Sequence, residues 1–496
     1  MRSMRLSRRR LAGTLAASPL RSARPKKRRV ALAVSLCLCG TVYFATAPVQ
    51  GASTSNWPAY LNGPAHHSYA AASTAITTSN AATLVRAWRF VVPSVGGSPG
   101  RQLYASPTVD GGYVYIGANN GVFYKLNETT GAIVRQRSIG YNTALTCSTH
   151  GFVSTATVAP DPSRANQLTV YVAAADGYLY ALRASDLTTV WRTAVYAVSQ
   201  TENDYFNWSS PTVVGGRVYV GLSSDCDEPL IRGGAKAFDQ ASGDLLATYF
   251  SVPAGSVGGS VWTSVAADAS SVWATSGNAD PTAGADPGDS FSIVRLDAGT
   301  LVKQDIWTVP DLTGTDDDFG ASPTLFTASV NGLTTPMVGA CNKNGIFYAW
   351  RATDLASGPV WSRRITTANK DIVCLAAAVF DETRDRFFVA ARETDIAGNH
   401  YAGSIRRLDP ATGRVVWTRG LPEPVLGTPS LDGSGVLAVG MWPTGHLVDL
   451  LNAGSGRVLK KIDVGAPVFA QPVFADRYLL VATTGGVLYG YTPGTS

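Results

Sequence analysis

The chain has 496 residues, 15% of them charged, with 50 Gly and 27 Pro, which excludes a collagenous, coiled-coil or disordered chain and leaves ample core to bury. Its net charge of +6 misleads: eleven Lys and Arg precede residue 30, where no acid occurs. Without them 30 basic residues face 35 acidic ones, a net of −5, which argues against nucleic acid as a partner.

The basic run ends at Lys26-Lys27-Arg28-Arg29, the apolar stretch Val30–Gly40 follows, and Ala45-Thr46-Ala47 is a small-x-small cleavage site. Residues 1–47 therefore read as an export signal or a single anchor. Ser7-Arg8-Arg9-Arg10-Leu11 gives the signal a twin-arginine character. The expectation is an exported protein, extracellular or in the cell envelope. Cys147, Cys226, Cys341 and Cys374 lie beyond the signal, and an even number in an oxidising compartment favours disulfides. No Cys-x-x-Cys-His motif is present, so no haem is expected on this chain.

Residues 48–82, rich in Ser, Thr, Asn and Ala, read as a leading segment wrapped on the surface. Leu84–Phe90, with Trp88, reads as a strand without a preceding partner. Then a fixed order repeats about every 45 residues. A Ser-Pro-type strand (Ser106-Pro107, Ser210-Pro211, Ser322-Pro323) is followed by a Val-Tyr-Val-Gly-type strand (Val218–Gly221). A third strand ends in Leu-Asp, and a Thr-Gly turn leads to a strand carrying an inward Trp, clearest in Leu408-Asp409-Pro410-Ala411-Thr412-Gly413-Arg414-Val415-Val416-Trp417. Gly supplies the positive φ of that turn, and Asp bonds its own backbone. Alternating apolar and polar positions are expected along strands packed face to face.

Eight such repeats occur, and the last stops at Leu488–Pro493 without its Trp strand. The predicted fold is all-β: an eight-bladed β-propeller over residues 83–496, closed by the N-terminal strand completing the last blade.

The Leu-Asp…Thr-Gly…Trp repeat, the eight-fold closure and Asn56-Trp57-Pro58-Ala59-Tyr60 resemble the quinoprotein alcohol dehydrogenase family, with polyvinyl-alcohol dehydrogenases nearest. That resemblance implies pyrroloquinoline quinone (PQQ) on the axis with Ca²⁺ beside it. An alcohol substrate, small or polymeric, and an external electron acceptor would be its partners. A non-catalytic cell-envelope scaffold resembling the assembly lipoprotein BamB, binding envelope proteins or glycans, is the alternative the repeat also allows. Ser-His-Asp hydrolysis is disfavoured by five His and no nucleophile elbow.

By the same resemblance, Trp262 in Gly258-Gly259-Ser260-Val261-Trp262 matches the residue that stacks on the quinone. Asn278 in Thr275-Ser276-Gly277-Asn278 and Glu228 before Arg232-Gly233 match metal ligands; Asp318 before Phe319 matches the catalytic base, and Lys343 in Asn342-Lys343-Asn344-Gly345 the cation at the quinone oxygens. The chemistry fits: a hard cation takes oxygen ligands, and alcohol oxidation needs a base as hydride leaves. Two departures stand out. The family's pair of adjacent cysteines followed by Arg is replaced by Cys147-Ser148-Thr149-His150, and Asp225 occupies a spot where a small hydroxyl residue is usual. Disulfides Cys147–Cys226 and Cys341–Cys374, each joining loops of adjacent blades, are expected to staple the mouth instead.

Overall fold

A computed structural model describes residues 55–98, 100–145, 151–197, 204–310, 312, 316–367 and 373–494. The expected export segment, Cys147 and His150 lie outside the described residues. Among the described residues, no helix is long and apolar enough to cross a membrane.

Eight sheets form the blades. Blade one comprises Thr108–Asp110, Tyr113–Gly117, Val122–Asn127 and Ile133–Ser138, each strand antiparallel to the next. Blade eight contains Val473–Ala475, Tyr478–Ala482 and Val487–Pro493, and its outer strand is the N-terminal Leu84–Val91, paired from Leu84 with Pro493 to Val91 with Val487. The ring closes as the repeat count requires.

The expected alternation fails in the inner strands. Ser271–Thr275 and Val436–Gly440 are buried at every position, because each is covered on both faces by neighbouring blades. Exposed positions concentrate in the fourth strands, such as Ile133–Ser138, at the circumference.

Two contacts join blade to blade, and both explain the repeat. The Ser-Pro residues form a belt around the axis. Backbone N–H groups of Ser106, Thr155, Ser210 and Ser264 donate to the hydroxyls of Thr155, Ser210, Ser264 and Ser322, at 2.8–3.0 Å. Gln471 N–H returns to the Ser106 hydroxyl at 2.9 Å across the closing seam. The repeat Trp does not point into its own blade but lies on the Gly turn of the next. Trp361 covers Gly413 and donates to Pro410 O at 2.9 Å; Trp88, Trp191 and Trp417 cover Gly131, Gly243 and Gly456. In the turn itself, Asp409 Oδ1 accepts from the Ala411 and Thr412 backbones and from the Thr412 hydroxyl.

The leading segment is not wrapped on the surface. Trp57, Leu61, Ser68 and Ala70 are buried, because the segment passes across the axial end of the ring. Its carbonyls at Ser55, Trp57, Pro58, Pro64, Ala65, His67 and Ser68 accept from Asp476, Val109, Val158, Ala267, Leu325, Phe380 and Leu431, each in or just after the innermost strand of a different blade. Tyr69–Ala70 adds a parallel strand to blade seven. Inner strands run from the Ser-Pro belt toward this segment, so it seals the end opposite the loops that deliver them.

Candidate active site

The open end of the axis is built from blades three, four and five. Blade three has Arg217–Leu222 and Gly234–Asp239 as its middle strands, blade four Ser271–Thr275 and Ser292–Asp297, blade five Leu333–Cys341 and Ile346–Arg351. Residues leaving the second strand of each blade emerge at this mouth. Glycines bring the loops together: Gly258 (φ 109°) and Gly259 (φ 65°) adopt backbone that a side chain disfavours, with Gly258 bridging both Arg232 and Ala279. Gly259 N–H donates to Asn278 O at 2.7 Å. Phe319 bridges Asn342, and Lys343 N–H donates to Asp318 O at 2.9 Å, so Asp318 and Lys343 ride on two pinned segments.

The result is a continuous polar chain. Trp262 Nε1 donates to Asp318 Oδ2 at 2.8 Å. Lys343 Nζ lies 2.6 Å from both Asp318 Oδ1 and Asp316 Oδ1, and 5.2 Å from the centroid of the Trp262 ring. Asn278 Nδ2 donates to Asp316 Oδ1 and Asp227 Oδ2, both at 3.0 Å. Asp227 Oδ1 accepts from the Ser224 hydroxyl. Burial, aided by the Asp316 charge and opposed by Lys343, pushes the Asp318 carboxyl up to about 7. Burial disfavours the Lys343 ammonium, but Asp318 and Asp316 outweigh it and hold its pKa above the ordinary value. Burial likewise opposes ionisation of Asp316, yet Lys343 and Asn278 keep its pKa low.

Of the five residues singled out in the sequence, Trp262, Asn278, Asp318 and Lys343 converge here. Glu228 does not: it is exposed on the loop, and Asp227 reaches Asn278 in its place. Asp227 and Asp316 were not singled out. Asp316 had a signal, since it is two residues from Asp318 and alternation places both on one side of an extended chain. Tyr104, Trp208 and Phe469 wall the same axial cavity as Trp262, with Tyr60 of the leading segment also lining it. A disulfide joins Cys341, beside Asn342, to Cys374. Cys226 is disulfide-bonded too, while Cys147, its expected partner, lies outside the described residues. Asp225, beside it, is fully buried, and its N–H donates to Asp204 O.

A family model for the β-propeller domain of glucose/ethanol/alcohol dehydrogenases matches residues 57–354, more than half of the chain. The chain belongs to that family. A second model, the outer membrane protein assembly factor BamB, matches residues 401–495. No curated protein sequence matches this dehydrogenase-family propeller. Its fold is similar to that of the quinohemoprotein alcohol dehydrogenase from Comamonas testosteroni (TM-score 0.70, 18% identity, 89% of this chain and 81% of that one). It is also similar to a europium-containing methanol dehydrogenase (0.72, 17%, 88% and 98%) and to BamB from Moraxella catarrhalis (0.52, 14%, 82% and 99%).

The residues present fit the metal and cofactor such a family implies. Among the described residues no cluster of three or more His, Cys, Asp or Glu has metal-site geometry, and Lys343 is paired with two of the acids, Asp316 and Asp318. The buried Oδ1 of Asn278, however, has no hydrogen-bond partner, and the Nδ2 of the same amide faces the carboxylates of Asp227 and Asp316, so turning the amide over brings a neutral oxygen to the two acids. A neutral oxygen left over beside acids is a donor set for a hard cation. Aromatic walls with one ammonium suit a planar anionic ligand.

Proposed function

We propose that this protein is an exported PQQ-dependent oxidoreductase that oxidises an alcohol, small or polymeric, and passes the electrons to a separate acceptor. The observation that carries the reading is the convergence of Asp318, Lys343 and Trp262, from three separate loops, on one another, with Trp262 also lining the axial cavity. When bound, the quinone supplies hydride-accepting chemistry.

The chain's own residues do the rest. Trp262 offers a stacking face, anchored through its indole N–H. Lys343 presents a cation beside that face for quinone oxygens. Asp227, Asn278 and Asp316, with Asp318, are the oxygen donors for Ca²⁺ or another hard cation, Asp227 standing where Glu228 was expected. Asp318 accepts the alcohol hydroxyl proton; burial, by raising its pKa toward 7, makes the carboxylate a stronger base than a solvated one.

The test is reconstitution of purified protein with PQQ and Ca²⁺, reading quinone absorbance and dye-linked alcohol oxidation. A shifted absorbance with turnover supports the reading; neither at saturating cofactor refutes it. The match of residues 401–495 to BamB favours a second reading, an envelope scaffold that binds proteins or glycans, and a protein inert to PQQ that pulls down envelope proteins would support that one.

A further inference from the structure

The place between Asp316 and Asp318 is already taken by a cation, and that cation belongs to the chain. Lys343 Nζ makes its two shortest contacts, 2.6 Å each, with Asp316 Oδ1 and Asp318 Oδ1, and its side chain is only 10% exposed. The neighbouring Asn278 Oδ1 is buried without a hydrogen-bond partner, while its Nδ2 is the atom turned to Asp316 and Asp227. Two carboxylates (Asp316 and Asp318) therefore share a single ammonium, and the Asn278 amide links Asp316 to a third acid, Asp227. Two like charges this close to the same oxygens repel each other strongly in a buried site.

We propose that Lys343 is an intramolecular stand-in for the metal: its ammonium and an incoming hard cation compete for the oxygens of Asp316 and Asp318. Cation binding then drives the ammonium off the carboxylates and toward the face of Trp262, only 5.2 Å away, where the site's ligand stacks. Metal loading and presentation of the lysine to the ligand become one event. In the cation-free protein the same ammonium neutralises acids that would otherwise be buried unpaired. This inference rests on the oxidoreductase reading for the site's location, but its test needs neither PQQ nor turnover.

The probe is Tb³⁺, whose emission is sensitised by a nearby indole; the Trp262→Phe variant, expected to lose the signal, identifies the site's own emission. Lys343→Gln is expected to bind Tb³⁺ at least about tenfold more tightly than the wild type, and Lys343→Arg, which keeps the charge, to show no such gain. Asp316→Asn is expected to weaken binding. A second measurement avoids any folding defect of a variant. Reductive methylation of the wild-type protein, read by peptide mass, should modify Lys343 at least about tenfold faster with Tb³⁺ bound than without, because the amine is released from its buried pair. Trp262-sensitised emission with unchanged or weaker binding in Lys343→Gln, or unchanged methylation, overturns the competition while leaving the metal reading standing. No Trp262-sensitised emission from the wild type or any variant overturns both.

Discussion

In the proposed oxidoreductase Asp318 meets two opposing demands: it is buried, yet it is the group proposed to accept a proton. The two are reconciled by neighbours, with Lys343 at 2.6 Å on one oxygen and the Trp262 N–H at 2.8 Å on the other. Asp318→Asn keeps the shape and one hydrogen-bond acceptor but removes the base. Its kcat for alcohol oxidation by the reconstituted protein is expected to fall by at least about 10², measured by dye reduction. Asp227 and Glu228 make a sharper comparison, since they are adjacent carboxylates. Asp227→Asn should weaken Tb³⁺ binding by about tenfold or more, while Glu228→Gln should leave it within about twofold, read by titrating Trp262-sensitised emission. The sequence exposed Asp318 and Lys343 because each sits at a strand end beside a recognisable turn. It pointed to Glu228, whereas the acid that contacts Asn278 is the neighbouring Asp227. Cys226 and Asp227 both adopt positive φ (60° and 58°), which re-aims the loop, and no residue pattern announces left-handed backbone at a Cys-Asp pair.

At the scale of the strand and turn, the repeat was legible but half its meaning was not. Asp409 and Gly413 make the predicted turn, with Gly413 at φ 64°. What the repeat could not show is that Trp361 of the preceding blade lies on that glycine, because the partner is about 50 residues away along the chain. Gly413 is thus required twice, by its φ and by the space a Cβ would need. Gly413→Ala is expected to destabilise by about 2 kcal/mol, measured by denaturant unfolding, without altering the mouth. The inner strands were harder to read, since burial on both faces erases the period of two and leaves only β-branched content to mark them.

Across the whole molecule, pH acts on stability through groups far from the mouth as well as through Asp318, whose raised pKa works in the same direction as that of Glu128. Glu128, in the turn after the third strand of blade one, is buried at the seam with blade eight, where burial and the Asp476 charge raise its carboxyl to about 7 from an ordinary 4.5. The folded protein therefore binds more protons than the unfolded one between those values, so stability declines as pH rises through that window and stays reduced above it. His66, buried in the leading segment, is lowered to about 4 by burial, so its contribution is lost as pH falls from 6.5 toward 4. Melting temperature is expected to peak between these limits. Glu128→Gln should flatten the alkaline side, recovering at most about 3 kcal/mol at pH 8.

The seam beside Glu128 also dictates an order of events. Residues 84–91 find their sheet only when residues 487–493 exist, so a nascent chain must hold that strand in waiting until the eighth blade has been made. The segment ahead of it, bonded to seven blades, has no seat until those blades are arrayed. Latching the ring is the final act, and a chain cut short before Val487 would present an unzipped sheet and a free leader to any protease.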